Sequence, residues 1–299
     1  DACLTGYADR PALCQRSREV RYDETTGRSA TELLAGFDTI TYARLREDVI
    51  AVSNTWQATG IRADDLVAVL GFTSIGYTVV HLACARIGAV FVPLQTSSSS
   101  AQLAPIIAET APRIFAASVE SLDTAIDLIL DARAVERLVV FDYPESDDEQ
   151  RERYQSAMAR LSDAGRQLDV MSLLDEIDTG KALPESAPDL PADGEYPLAT
   201  LIYTSGSTGA PKCAMYPADL MTRLWQRPHS PSVDTGFEIP AIHLQYMPLS
   251  HVYGLSWLIA TLASGGIGYF AAKSDMSTLF EDITLVRPTA LNLVPRVCD

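Results

Sequence analysis

Between Leu201 and Lys212 the sequence reads L-I-Y-T-S-G-S-T-G-A-P-K. An apolar run enters Thr204, Ser205, Gly206, Ser207, Thr208 and Gly209, and Pro211 and Lys212 leave it. Four hydroxyls, two glycines and a lysine within nine residues make the composition of an anion site. The glycines let backbone N–H groups approach phosphate oxygens closely, and the hydroxyls add donors. Lys212 is one of only three lysines in the chain, so its position in this motif stands out. There it would set a point charge against a pyrophosphate. A nucleoside-triphosphatase P-loop needs G-x-x-x-x-G-K-[ST]. Counted from Gly206, Pro211 and Cys213 stand where that pattern requires Gly and Ser or Thr. The dinucleotide fingerprint G-x-G-x-x-G is absent as well. Two readings remain, a phosphate-binding loop of another type and a flexible turn, and the apolar strand with its Pro-Lys exit favours the first.

A second candidate is His251 in M-P-L-S-H-V-Y-G, residues 247–254. Histidine can donate to an oxyanion at neutral pH, but at a helix start it also serves as a cap or a core hydrogen-bonding group. Tyr253, Leu255 and Trp257 read first as core and only then as an acyl pocket. The four histidines show no metal-ligand spacing, so no protein metal site is expected. The five cysteines are odd in number and form no C-x-x-C pair. That pattern suits a reducing compartment without a disulfide or zinc framework. With no basic-then-apolar amino terminus, no signal peptide is expected, and the expected location is cytoplasmic.

These residues sit in a 299-residue chain that is 47% hydrophobic and 21% charged, which excludes intrinsic disorder of the whole. Its net charge of −16 argues against a nucleic-acid partner, which requires a basic face. The charge is uneven: residues 1–196 carry 32 acids and 17 bases, residues 197–299 seven and six. An anionic ligand is therefore accommodated more cheaply in the second part. Of two uncharged stretches, 66–85 is interrupted by Gly71, Thr73, Ser74, Gly76 and His81, and 252–272 carries Gly265, Gly266 and Gly268 and has no basic flank, so neither reads as a membrane span.

From Leu66 onward short apolar runs alternate with helical patterns. Strands are expected at 66–72, 90–94, 113–118, 137–142, 198–204, 242–248, 268–272 and 290–294. Helices are expected at 75–87, 101–110, 121–132, 218–226, 255–262 and 276–285. Apolar strands separated by helices indicate βαβ units and an α/β fold with mainly parallel sheets flanked by helices. One sheet is expected from these segments, with the 247–251 segment leaving it at the same end as the phosphate loop. Upstream, Leu45, Val49, Val52 and Trp56 form one helical stripe, with Thr41 as N-cap and Gly60 as stop. Residues 142–195 contain 15 acids and five bases and end in a run of prolines. The stretch at about 143–196 is expected to be a solvated insert or linker outside the sheet, with a short surface helix at 154–161.

T-S-G-S-T-G-A-P-K resembles the signature loop of the adenylate-forming, AMP-binding enzymes, which include acyl-CoA synthetases, peptide-synthetase adenylation domains, luciferases and carboxylic acid reductases. Further segments match in order: I-T-Y-A-R-L at 40–45, A-R-I-G-A-V-F-V-P-L at 85–94 and M-P-L-S-H-V-Y-G at 247–254. G-Y-A-D-R-P-A-L at 6–13, Y-F-A-A-K-S-D-M-S-T-L-F-E-D at 269–282 and V-R-P-T-A-L-N-L-V-P-R at 286–296 are similar to the adenylation domain of carboxylic acid reductases.

The resemblance implies the amino-terminal portion of an adenylation core, residues 1–299, that binds ATP or AMP with Mg²⁺ and a small carboxylic acid. It implies an acyl-adenylate product, as the first step of reduction to an aldehyde. It places His251 at the acyl and α-phosphate end and Thr204–Gly209 with Lys212 on the phosphates, as binding and catalytic residues. Acyl-CoA ligase-type adenylation and a non-catalytic nucleotide-binding fragment are the alternatives. It further implies a small carboxy-terminal subdomain, a phosphopantetheine carrier and an NADPH-binding reductase domain as partners on the same polypeptide. None has a counterpart here, nor do the family's adenine, ribose and catalytic-lysine motifs, so the 299-residue chain alone is expected to turn over little. One departure is Cys213, where the family usually has glycine. It would be strained if that position needs positive φ, and a tolerated substitution is the expectation.

Overall fold

The computed structural model describes residues 1–188, 197–204, 211–226 and 240–292. They divide into two compact units. One comprises residues 1–17, 33–46 and 222–299, the other residues 18–32 and 47–221.

The second unit holds a seven-stranded sheet built from β3 (Leu66–Leu70), β4 (Val90–Leu94), β5 (Ile114–Ser118), β6 (Arg137–Phe141), β7 (Asp169–Ser172), β8 (Leu198–Thr204) and β9 (Lys212–Pro217), in the order β7-β6-β5-β3-β4-β8-β9. All pairings are parallel except β8 with β9. Strands β4, β5 and β6 are buried along their whole length, as continuous apolar runs in a helix-covered parallel sheet must be. Their side chains divide with the two-residue period of a strand. Ala68, Val92, Phe115 and Val140 meet α4 (Ser100–Thr110), α5 (Leu122–Ile129) and α6 (Asp148–Asp163) in one core. On the other side, Phe91 and Phe141 meet Tyr77 of α3 (Ile75–Ile87) edge-on. Helix α3 starts where the Ser74 hydroxyl accepts from the Tyr77 N–H and stops at Gly88, whose φ of 70° is open to glycine.

Upstream of this sheet lies α2 (Tyr42–Ala58). Its expected stripe is buried at Leu45, Val49, Val52 and Trp56, and the Thr41 hydroxyl accepts from the Arg44 N–H at 3.1 Å.

The acidic stretch corrects the sequence reading. Residues 143–188 are not an excursion outside the sheet. They form the 16-residue α6, the edge strand β7 paired in parallel with β6, and α7 (Leu173–Lys181). The pattern hid them because β7 is half-wet and α6 buries only Ala157 and Leu161. Their acids are used: Asp147 caps α6 and also accepts the Thr31 N–H at 2.8 Å, Asp148 accepts the Ser29 N–H at 2.7 Å, and Glu152 grips Arg28. Helix α7 docks where Gly180 meets the Ala51 carbonyl; a Cβ there would lie 1.8 Å from that oxygen. Residues 189–196 lie outside the described residues.

The first unit holds a separate four-stranded sheet, β10-β11-β1-β2, from β1 (Pro11–Asp23), β2 (Arg28–Thr41), β10 (Ile242–Gln245) and β11 (Ile267–Phe270). This also corrects the expectation. The 247–251 segment leaves a different sheet from the one that carries the phosphate loop. The hairpin β1–β2 went unread because its outer part is exposed on both faces and shows no single apolar period. Helix α9 (Val252–Ala263) joins β10 to β11, and α10 (Leu279–Val286) carries the fully buried Asp282. That carboxylate accepts from Arg16 at 2.9 Å, from the Ala272 N–H at 3.0 Å and from the Thr278 hydroxyl at 3.0 Å. The expected strand at 290–294 is described only to Asn292, with Ala290 bridging His243 in parallel.

In the second unit Arg137 of β6 meets Glu176 of α7 at 2.8 Å, with both side chains buried, and also pairs with Asp169 of β7. Glu176→Ala leaves the guanidinium buried beside one exposed partner and is expected to lower stability by about 3–5 kcal/mol. The double variant Arg137→Met, Glu176→Leu should recover most of that loss. Urea unfolding of the three proteins checks both outcomes.

Candidate functional site

The two stems of the candidate loop are held together by sheet pairing. Strand β8 ends at Thr204, β9 begins at Lys212, and these two residues are register partners in an antiparallel pair. The Thr204 hydroxyl donates to the Lys212 carbonyl at 3.4 Å. Sequence reasoning missed β9, a short run without β-branched residues. Its one signal is K-C-A-M-Y bounded by Pro211 and Pro217. Of the expected site residues, Thr204 and Lys212 are thus brought face to face, and both are exposed. Ser205, Gly206, Ser207, Thr208 and Gly209 lie outside the described residues.

Beside these stems lies a cleft of about 280 Å³. Leu94 and Gln95 at the end of β4, Gln102 and Ile106 of α4, and the stem residues Thr204 and Pro211 line it. Strands β4 and β8 run parallel, so the cleft opens at their carboxyl ends, where open α/β sheets bind ligands. None of its lining residues carries a charge. Lys212, at the start of β9, brings one positive charge to the stems.

Cys213 is half-buried in β9 opposite Tyr203 and is not among the residues with positive φ. The strained reading of this departure is not realised: the position is ordinary extended backbone. Burial pushes the Cys213 thiol up, away from the reactive thiolate. Tyr203 is buried and also lines the cleft.

His251 belongs to the other unit. It is the N-cap residue of α9, with φ −107°, and its side chain is exposed and makes no cap hydrogen bond. Its backbone does the local work: its N–H donates to Pro248 O at 3.2 Å, and its carbonyl accepts from Leu255 at 3.0 Å. The helix can start this tightly because residue 254 is glycine; a Cβ there would lie 2.4 Å from Pro248 O. Leu255 is core as expected, whereas Tyr253 is 49% exposed. Tyr253 stands edge-on to Trp257, which stacks on the buried His243 at 5.8 Å. Burial lowers His243 to about 4, so it is neutral near pH 7.

The family model described as AMP-binding enzyme matches residues 8–299. The chain belongs to the AMP-binding enzyme family. It is 44% identical over its whole length to a carboxylic acid reductase of Segniliparus rugosus, spanning 26% of that protein. It is 45% identical over 99% of its length to a carboxylic acid reductase of Mycobacterium tuberculosis, spanning 25% of that one. The solved adenylation domain of the Segniliparus rugosus carboxylic acid reductase, in complex with AMP and a co-purified carboxylic acid, superposes with a TM-score of 0.93 at 43% identity. That alignment covers 99% of this chain and 48% of the solved one. The chain thus spans about a quarter of the curated relatives it matches. Mainly parallel sheets with flanking helices are what the AMP-binding resemblance implies, and no described helix is long and apolar enough to cross a membrane.

If residue 213 needed positive φ, glycine would be the better residue there. In the extended strand observed, Cys213→Gly is instead expected to lower stability by about 0.5–1 kcal/mol, through added unfolded-state freedom and lost packing. Urea titration of the two proteins checks the sign.

Proposed function

We propose that this chain is the part of a carboxylic acid reductase-type adenylation domain that receives the ATP phosphates and the carboxylate. The reaction is ATP-dependent activation of a carboxylic acid to an acyl-adenylate with release of pyrophosphate, the first step of reduction to an aldehyde. The observation that carries the reading is identity of 43–45% across essentially the whole chain to carboxylic acid reductases, one solved with AMP and a carboxylic acid.

In this proposal the carboxylate oxygen attacks the α-phosphorus and pyrophosphate leaves on the opposite side. No covalent enzyme intermediate forms. Two anions must be brought together, so the protein's contribution is positioning and stabilisation of the leaving charge. Lys212 faces the leaving pyrophosphate, with Thr204 and the residues 205–209 donating to its oxygens. His251 donates to the carboxylate or the α-phosphate. Among the described residues no group of three or more His, Cys, Asp or Glu could hold a metal ion. Mg²⁺ enters the proposal together with the nucleotide, as MgATP. Phosphopantetheine and NADPH enter the proposal only through carrier and reductase domains of the same polypeptide. A cytoplasmic location fits the four described cysteines, all of them free thiols.

The test is carboxylate-dependent pyrophosphate exchange in an adenylation-competent protein that carries this chain. Lys212→Ala should lower kcat/KM for ATP by a factor corresponding to about 2–4 kcal/mol, with the KM for the acid little changed. An unchanged kcat/KM for ATP removes Lys212 from the site. His251→Ala should slow adenylation while leaving the thermal midpoint in place. Normal exchange by that variant would return His251 to a purely structural role.

A further inference from the structure

Behind the loop stems, three side chains outside the proposed phosphate contacts meet. Tyr203, the last residue of β8 before Thr204, places its hydroxyl in hydrogen-bond reach of Glu109 on α4 and of Cys213 on β9. Tyr203 and Cys213 are register partners, one step inside the Thr204–Lys212 pair. Both belong to the apolar layer beneath α4, with Tyr203 in it and Cys213 packed against it. The phenol has a single proton. The Glu109 carboxylate is the strongest acceptor within its reach, and the Cys213 sulfur is the other group beside it. One hydroxyl thus ties both stems of the loop to a helix that also walls the cleft.

We propose that Tyr203 is a positioning residue for ATP, acting through Lys212, with Glu109 and Cys213 as its anchors. The inference rests on the reading of Lys212 given above. Backbone pairing fixes Lys212 along β9, but β9 is the outermost strand of its sheet and pairs with β8 on one side, so its freedom to twist against α4 is limited from that side alone. A buried phenol bridging strand, strand and helix removes that freedom. A cation misplaced by about 1 Å loses much of its stabilisation of a leaving anion.

In an adenylation-competent protein carrying this chain, Tyr203→Phe should raise the KM for ATP by about tenfold, a 1.4 kcal/mol effect. The KM for the carboxylic acid should stay within about twofold. Glu109→Ala should reproduce part of the loss, and Glu109→Gln, whose amide oxygen still accepts, should restore it. Because Tyr203 acts through Lys212, Tyr203→Phe on the Lys212→Ala background should bring no further loss for ATP. A lowered thermal midpoint with the ATP KM unchanged overturns the positioning role, as does an equal loss for ATP and acid. If Lys212→Ala impairs ATP use and Tyr203→Phe does not, the inference fails alone. If neither variant changes ATP use, the reading of Lys212 fails with it. A full, additive loss in the double variant overturns the route through Lys212.

Discussion

Strands β4, β5 and β6 are buried on both faces, and this burial leaves the larger sheet only its two edges for polar chemistry. An uncompensated charge cannot stand along those strands, so polar groups gather where the strands begin and end. At the amino ends they neutralise one another. Arg113 lies between Asp65 and Glu136, at 2.7 Å from each, and Arg137 is held by Glu176 and Asp169. At the carboxyl ends stand hydroxyls, a lysine and one carboxyl: Ser74 caps α3 and hydrogen-bonds Asp142, Ser118 meets Ser121, and Thr204 faces Lys212. The first edge is a closed set of ion pairs that fixes helices to strands. The second holds the cleft and the paired stems Thr204 and Lys212.

The same constraint accounts for where the net charge went. In a chain of charge −16, carboxylates gathered at the far side of the sheet leave the β8–β9 end with a weaker negative field. The acids of residues 143–188 are placed in α6, β7 and α7, at the far edge of the strand order from β8 and β9. There they cap helices and accept backbone N–H groups of the hairpin tip, as Asp147 and Asp148 do for Thr31 and Ser29. A stretch that reads as solvent-exposed ballast by composition is in fact the fastening of one sheet edge.

In the smaller sheet a single buried carboxylate has the corresponding role. Asp282 takes a guanidinium on one oxygen and a backbone N–H and a hydroxyl on the other, which joins β1, the end of β11 and α10. The turn before α9 is closed by other means: backbone hydrogen bonds of His251 and the close approach that Gly254 allows, with no cap hydrogen bond from the His251 side chain.

The elements legible in the sequence are those whose local signals agree. Helix Ile75–Ile87 and strand Val90–Leu94 were placed residue for residue, because long apolar runs are cut by Ser74 and Gly88. The candidate loop stands out in the sequence because its glycines, hydroxyls and lysine are contiguous, and of it the structure describes only the paired stems. What sequence could not reach depends on partners distant in the chain. Strand β7 is half-wet and becomes a strand because β6 offers it an edge. Strand β9 pairs back on β8 and decides that Cys213 is ordinary extended backbone rather than a strained turn. Assignment of β10 and β11 to a second sheet with the amino-terminal hairpin is likewise a matter of which edges meet. Local composition determined the types of group available for catalysis. Strand pairing, whose energy comes from edges and faces far apart in sequence, decided which of those groups stand face to face.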